Sequence, residues 1–204
     1  MKSIFPLALL FIGLTAFSPL HDGPHELEIG AAAKGTDLPL TTTEGKSVHL
    51  TDLKKGNGLL VIFSCNTCPF VLKWENRYNG LAKLSGEKNV GMVVVNSNEA
   101  KREGDDSLEA MKTHAEKESY HFPYVLDEGS KLADALGGSR TPHVFLFDKD
   151  MKLVYRGAID DNADDKNAVT HAWLDDAINH LAAGEKIDPS TTRSLGCTIK
   201  RLPQ

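Results

Sequence analysis

The sequence predicts an α/β domain, a central mixed β-sheet with helices on both faces. Three observations predict it. Short apolar runs at residues 59–63, 90–95 and 144–147 have the length and branched content of buried strands. Segments with apolar residues at three- and four-residue spacings alternate with these runs. A hairpin around Asp148-Lys149-Asp150 then precedes a last helix, which makes the sheet mixed rather than wholly parallel.

Taken in order, residues 1–20 carry Lys2, an apolar stretch broken by Thr15, and small residues at 16–18. This is a signal-peptide pattern, too short for a secure membrane span, although Pro19 makes a poor cut site after Ser18. Left uncleaved, it is an N-terminal anchor, and only then does the chain meet a membrane. Either way the folded part is expected to be exported, to the periplasm or another extracytoplasmic space. Residues 21–36 read as a linker, 37–184 as one domain, and 185–204 as a loop-like tail carrying Cys197.

Within the domain, residues 37–53 alternate about Glu44-Gly45-Lys46, an N-terminal hairpin. A strand ends at Phe63, and a helix over 68–84 presents Phe70, Val71, Trp74, Tyr78, Leu81 and Leu84 on one face. A central strand at 89–96 precedes a charged surface loop at 97–106. Asp106 and Glu109 have capping-box spacing for an inserted helix over 107–118. Then come a strand at 124–126, a helix at 130–136 stopped by Gly137-Gly138, and the strands about Asp148. The acidic run 160–166 lacks the glycine and closing glutamate of an EF-hand loop, so it reads as solvated. A final helix over 168–183 buries Trp173, Leu174, Ala177, Ile178 and Leu181.

The chain has 204 residues, 41% hydrophobic and 25% charged, with a net charge of −5, which suits one globular domain with a sizeable core. Without a basic stripe it offers nucleic acid no electrostatic footprint. Three cysteines are too few for a disulfide-stapled scaffold, so their role is chemical.

Chemistry concentrates at Cys65-Asn66-Thr67-Cys68-Pro69, where a buried strand meets a helix. Proline suits a first helical turn, and the helix N-terminus is expected to favour the Cys65 thiolate. A C-x-x-C pair is either a redox couple or half a zinc site. Here the domain at 37–184 holds no second C-x-x-C and no H-x-x-x-H to complete the latter (His21 and His25 have that spacing but stand in the linker), and no metal or cofactor is expected. His114, His121, His171 and His180 read as surface or helix-face residues.

Strand, C-x-x-C-Pro and helix, followed about seventy residues later by Thr141-Pro142 opening a strand, resemble the thioredoxin fold. Residues 65–71, Asn96-Ser97-Asn98, Phe122-Pro123-Tyr124, Phe145-Leu146-Phe147-Asp148, Tyr155-Arg156-Gly157, Ile159-Asp160-Asp161 and Gly196-Cys197-Thr198-Ile199-Lys200 are similar to its redoxin branch (AhpC/TSA, peroxiredoxin-like) from residue 37 onward. The resemblance implies Cys65 as attacking and Cys68 as resolving cysteine. It implies Pro142 as the cis-proline facing them, and a Thr141 backbone offered to an extended substrate segment. Arg140 stands where many relatives carry a cysteine, and its guanidinium is expected to support the Cys65 thiolate and, with Thr141 and Pro142, to bind substrate. Ile62 stands where a peroxidatic site has threonine, which counts against an efficient peroxidase.

The expected function is therefore thiol–disulfide exchange on a disulfide-containing protein or a small thiol, with an unidentified reducing partner. The alternatives are a thiol peroxidase acting on peroxide, with Cys65 resolved by Cys68 or Cys197, and a copper(I) carrier using Cys65, Cys68 and His143. Cys197, between apolar Leu195 and Ile199, reads as a tail anchor, a third redox cysteine or an intermolecular thiol.

Overall fold

A computed structural model describes residues 25–203. The signal-or-anchor segment 1–20 lies outside the described residues, as do residues 21–24. In chain order the elements are β1 (Leu40–Thr42), β2 (Ser47–Val48), α1 (Leu50–Leu53), β3 (Gly58–Ser64), α2 (Pro69–Trp74), α3 (Tyr78–Glu87), β4 (Val90–Asn96), α4 (Leu108–Lys117), β5 (Tyr124–Leu126), α5 (Lys131–Leu136), β6 (Arg140–Thr141), β7 (His143–Asp148), β8 (Leu153–Gly157), α6 (Trp173–Ala183) and β9 (Cys197–Thr198).

Seven strands form one sheet in the order β2-β1-β5-β4-β3-β7-β8, while β6 and β9 make a separate two-stranded ribbon. β3, β4 and β5 run parallel, and β7 and β8 close the sheet antiparallel. This is the thioredoxin-like mixed sheet that the sequence predicts.

The continuous apolar runs are explained by coverage on both faces. Successive side chains of a strand point to opposite sides. Leu60 and Ile62 of β3, Met92 and Val94 of β4, and Val144 and Leu146 of β7 join Tyr78, Leu81, Met111, Leu174 and Ile178 in one core layer. Leu59, Val61 and Phe63, Val93 and Val95, and Phe145 and Phe147 join Leu27, Leu50, Leu132 and Leu136 in the other. Each such side chain contributes about 1.5–3 kcal/mol on burial. A parallel register of Ser64 with Asn96 and of Asn96 with Leu126 brings the C-terminal ends of three strands level.

Several elements differ from the sequence reading. The helix expected over 68–84 is two helices joined by a 3₁₀ turn, Glu75–Arg77. There Glu75 turns inward to His114 (2.8 Å) and Tyr120 (3.1 Å), while Arg77 reaches Asp160 at 3.1 Å. Phe70, expected on the apolar face, is exposed. Helix α6 starts at Trp173, because residues 170 and 171 are tied to Asp161 and Leu174 N–H donates to the Ile159 carbonyl. Asp160 is no solvated acid: it is buried and accepts Trp74 Nε1–H at 2.6 Å.

Residues 25–36, read as linker, are docked. Leu27 is buried, its N–H donates to Leu136, and Gly30 and Ala33 N–H groups donate to Leu153 and Met151 carbonyls. Small alternating residues conceal this edge contact in the sequence. Among the described residues no helix is long and apolar enough to cross a membrane.

Candidate active site

Cys65 follows β3 directly, and Cys68 is the N-cap of α2, with Pro69 at the first helical position. Both cysteines are buried, at 3% and 5% exposure, and neither is in a disulfide. Across from them the Thr141–Pro142 peptide is cis. Thr141 meets each sulfur with a different group. Its Oγ1 lies 3.5 Å from Cys65 Sγ, and its carbonyl accepts from Cys68 Sγ at 3.1 Å.

The two cysteines are coupled, so that a thiol on one supports a thiolate on the other. A hydrogen bond from the Cys65 thiol to Cys68 pushes Cys65 up, and burial and the nearby Asp106 carboxylate push it the same way against the Thr141 hydroxyl. The same bond pushes Cys68 down; burial opposes it, and the Cys197 thiol and Val71 N–H assist it. Cys68, not Cys65, occupies the helix cap beside the Val71 N–H. Passing the proton across the pair makes the other tautomer. In it the Thr141 carbonyl accepts the Cys68 S–H and the Thr141 hydroxyl faces the Cys65 thiolate.

Beneath the pair lies a polar network that sequence reasoning missed. Asp106, fully buried, accepts from Asn66 N–H (2.9 Å), Asn96 Nδ2 (2.8 Å) and Asn98 Nδ2 (3.0 Å). Tyr124 Oη donates to Asn66 Oδ1 at 2.8 Å and accepts from Asn96 Nδ2 at 3.1 Å. Asp106 was expected as a helix cap; the cap of α4 is Ser107, whose Oγ accepts Ala110 N–H at 3.2 Å. The available signal was Asn96-Ser97-Asn98 directly after an apolar strand, at the strand end where α/β sites gather.

Arg140 does not turn to the sulfurs. It is exposed, and its Nη1 donates to the Gly196 carbonyl at 3.2 Å. His143 is buried, and burial with the cations of Arg156 and Arg140 pushes it down to about 3. It is neutral, so Glu26 at 3.8 Å forms no ion pair with it, and its Nδ1 accepts Ser139 N–H at 3.4 Å. Both ring nitrogens thus face groups other than the sulfurs, which removes the geometry that a Cys65–Cys68–His143 copper site needs. Cys197 is half-buried against Cys65, Cys68 and Val71, paired through β9 with Thr141.

A model of the redoxin family matches residues 28–173. The thiol-disulfide oxidoreductase ResA of Bacillus cereus is 27% identical over 143 residues, 70% of this chain and 77% of the relative. Among solved structures, a hypothetical protein from Sinorhizobium meliloti 1021 is similar at TM-score 0.79 and 29% identity, covering 88% of this chain and 98% of that one. An uncharacterized conserved protein from Geobacillus kaustophilus is similar at TM-score 0.77 and 35% identity, covering 86% and 95%.

Proposed function

The chain belongs to the redoxin family, and on that footing we propose that it is an extracytoplasmic thiol–disulfide oxidoreductase working through Cys65 and Cys68. The observation that carries this reading is the two-sided contact of Thr141 with the buried pair. It gives the shared proton a place on either sulfur.

In the reducing direction the Cys65 thiolate attacks a substrate disulfide, a Cys65–substrate bond forms, and one substrate thiolate leaves. Cys68 loses its proton and attacks Cys65 sulfur; the Cys65–Cys68 disulfide forms and the second substrate thiolate leaves. Two electrons pass to the substrate, whose two thiolates take up two protons. A separate reductant resets the pair. Thr141 and Pro142 line the approach to the sulfurs. Ile62, three residues before Cys65, is buried in the core and supplies no hydroxyl to polarise a peroxide. The exported location rests on the charge-then-apolar pattern of residues 1–20.

The test is turnover of a protein disulfide by the purified chain. Cys65→Ser abolishes it, and Cys68→Ser accumulates a mixed disulfide. In parallel, wild-type thiol loss to stoichiometric hydrogen peroxide stays slow beside exchange on disulfide. Full turnover by Cys65→Ser, or faster loss to peroxide than to disulfide, overturns the reading.

A further inference from the structure

We propose that the tail strand β9 is a resident occupant of the substrate edge and that Cys197 is a third exchange thiol directed at Cys68. The proposal rests on the oxidoreductase reading of Cys65 and Cys68 and adds a second disulfide and a gate to it.

The backbone beside the sulfurs belongs to β6, and an extended segment adds to such an edge by main-chain pairing. That edge is already filled. β9 pairs antiparallel with β6, Arg140 opposite Thr198 and Thr141 opposite Cys197. Gly196 lies flat on the Thr141–Pro142 peptide, so close that an added Cβ would meet the Thr141 carbonyl oxygen at 2.3 Å. Arg140 Nη1 holds the Gly196 carbonyl, Ile199 N–H donates to Ser139 at 3.1 Å, and Lys200 N–H donates to Asn98 Oδ1 at 2.8 Å. Arg201 closes the clamp on Asp134 and on the Gly138 carbonyl, each at 2.7 Å. Ile199 is buried in the second core layer.

This seating delivers one reactive group. The Cys197 side chain packs against Cys65, Cys68 and Val71, and it is the most exposed of the three cysteines. When Cys65 and Cys68 are joined, the Cys197 thiolate attacks Cys68 sulfur. The Cys68–Cys197 bond forms, the Cys65–Cys68 bond breaks, Cys65 leaves as thiolate and takes the proton that Cys197 gave up. No electron is gained or lost, so no outside oxidant is needed. The product pins β9 to the site with Cys65 free. A thiol reductant then meets the half-buried Cys197 before the buried pair. With Cys197 reduced, the same strand is held only by non-covalent contacts, and its release opens the Thr141 edge to a substrate segment.

The experiment equilibrates full-length Cys65→Ser and Cys65→Ser/Cys197→Ser in a glutathione redox buffer, quenches free thiols by alkylation and maps the peptides. Cys65→Ala serves in parallel, in case the serine perturbs folding. The expected result is a linked Cys68–Cys197 peptide in most monomers of the single variants. Glutathione on Cys68 should be at least tenfold lower than in the double variant, because a neighbouring thiol competes at a high effective concentration. Independent glutathionylation of Cys68 and Cys197, with no linked peptide, overturns the proposal. Wild type mapped alongside keeps the two readings apart: absence there of any disulfide on Cys68, to Cys65 or to Cys197, overturns the oxidoreductase reading itself.

Discussion

Replacing Gly196 with alanine acts directly on the seating of the tail. The new Cβ would sit 2.3 Å from the Thr141 oxygen, 2.7 Å from its carbonyl carbon and 3.1 Å from Pro142 N. All three are backbone atoms of the segment running into β7, a strand buried in the seven-stranded sheet, so the tail gives way. Three backbone hydrogen bonds then weaken, from Ile199, Lys200 and Ala100 N–H, each worth about 0.5–1.5 kcal/mol net. Burial of Ile199 adds about 1.5–3 kcal/mol that is wholly or partly lost. A local loss of about 3 kcal/mol raises the open population by roughly a hundredfold, since 1.4 kcal/mol is a factor of ten. The assay is the alkylation rate of reduced Cys65 and Cys68 by a bulky maleimide, with limited proteolysis of the tail as the independent measure of release. An increase on the order of a hundredfold is expected. A Gly196→Ala protein whose tail is cut readily but whose Cys65 and Cys68 alkylate at the wild-type rate would refute the reasoning. Gly80→Ala, which adds a Cβ to α3 with nothing within 4 Å, is the control and should leave the rate unchanged.

Other outcomes follow from the groups around the pair. Asp106→Asn keeps the shape but offers its donors one acceptor oxygen where the carboxylate offers two, leaving one buried N–H facing another. The cost is about 1–3 kcal/mol, a melting temperature lower by roughly 2–12 °C for a chain of this size. The repulsion that Asp106 adds to the Cys68 hydrogen bond and burial at Cys65 also disappears, so the pH profile of Cys65 alkylation moves to lower pH; an unmoved profile removes Asp106 from the electrostatics of the pair. His143, pushed down from 6.5 to about 3, stays neutral in the native state while the unfolded chain binds a proton. Stability should thus fall as pH drops across that window, by up to about 1.4 kcal/mol per pH unit. Urea midpoints of His143→Phe against pH should show a shallower acid limb, and equal limbs would dismiss His143 as the cause.

What the sequence made legible was whatever periodicity encodes. Runs such as residues 59–63 announced strands because both faces are covered, and the C-x-x-C pair announced itself by spacing. Illegible were contacts that only the tertiary fold creates. Asp106 has the spacing of a capping box, yet Ser107 beside it makes the cap, and burial against Asn66 and Asn98 claims the carboxylate. Asp160 sits in an acidic run that looks solvated, and only the approach of Trp74 and Arg77 turns it inward. Arg140, the first residue of the short strand β6 beside the pair, was expected to support a thiolate, but the tail carbonyl that takes its guanidinium lies 56 residues further on. Local pattern fixes which residues alternate; it carries no information about which distant loop returns to satisfy a donor.

The two features most hidden from the sequence touch each other. Lys200 N–H of the tail donates to Asn98 Oδ1, Asn98 Nδ2 donates to Asp106 Oδ2, and Asp106 Oδ1 accepts the N–H of Asn66, the residue after Cys65. Seating of the tail and placement of the carboxylate under the sulfurs therefore share one side chain, Asn98. Releasing the tail removes one of its fixed partners and lets its amide turn away from Asp106. Contiguity alone does not establish coupling; a shared element with two arrangements does. The double-mutant cycle of Gly196→Ala with Asp106→Asn measures it, with the Cys65 alkylation rate as the readout. If Asn98 links the two, each change removes part of what the other removes. The combined effect then falls short of the sum by about 0.5 kcal/mol or more, the range seen for residues sharing a network. Additivity within about 0.3 kcal/mol would mean that the tail gates access alone and leaves the charge under Cys65 untouched.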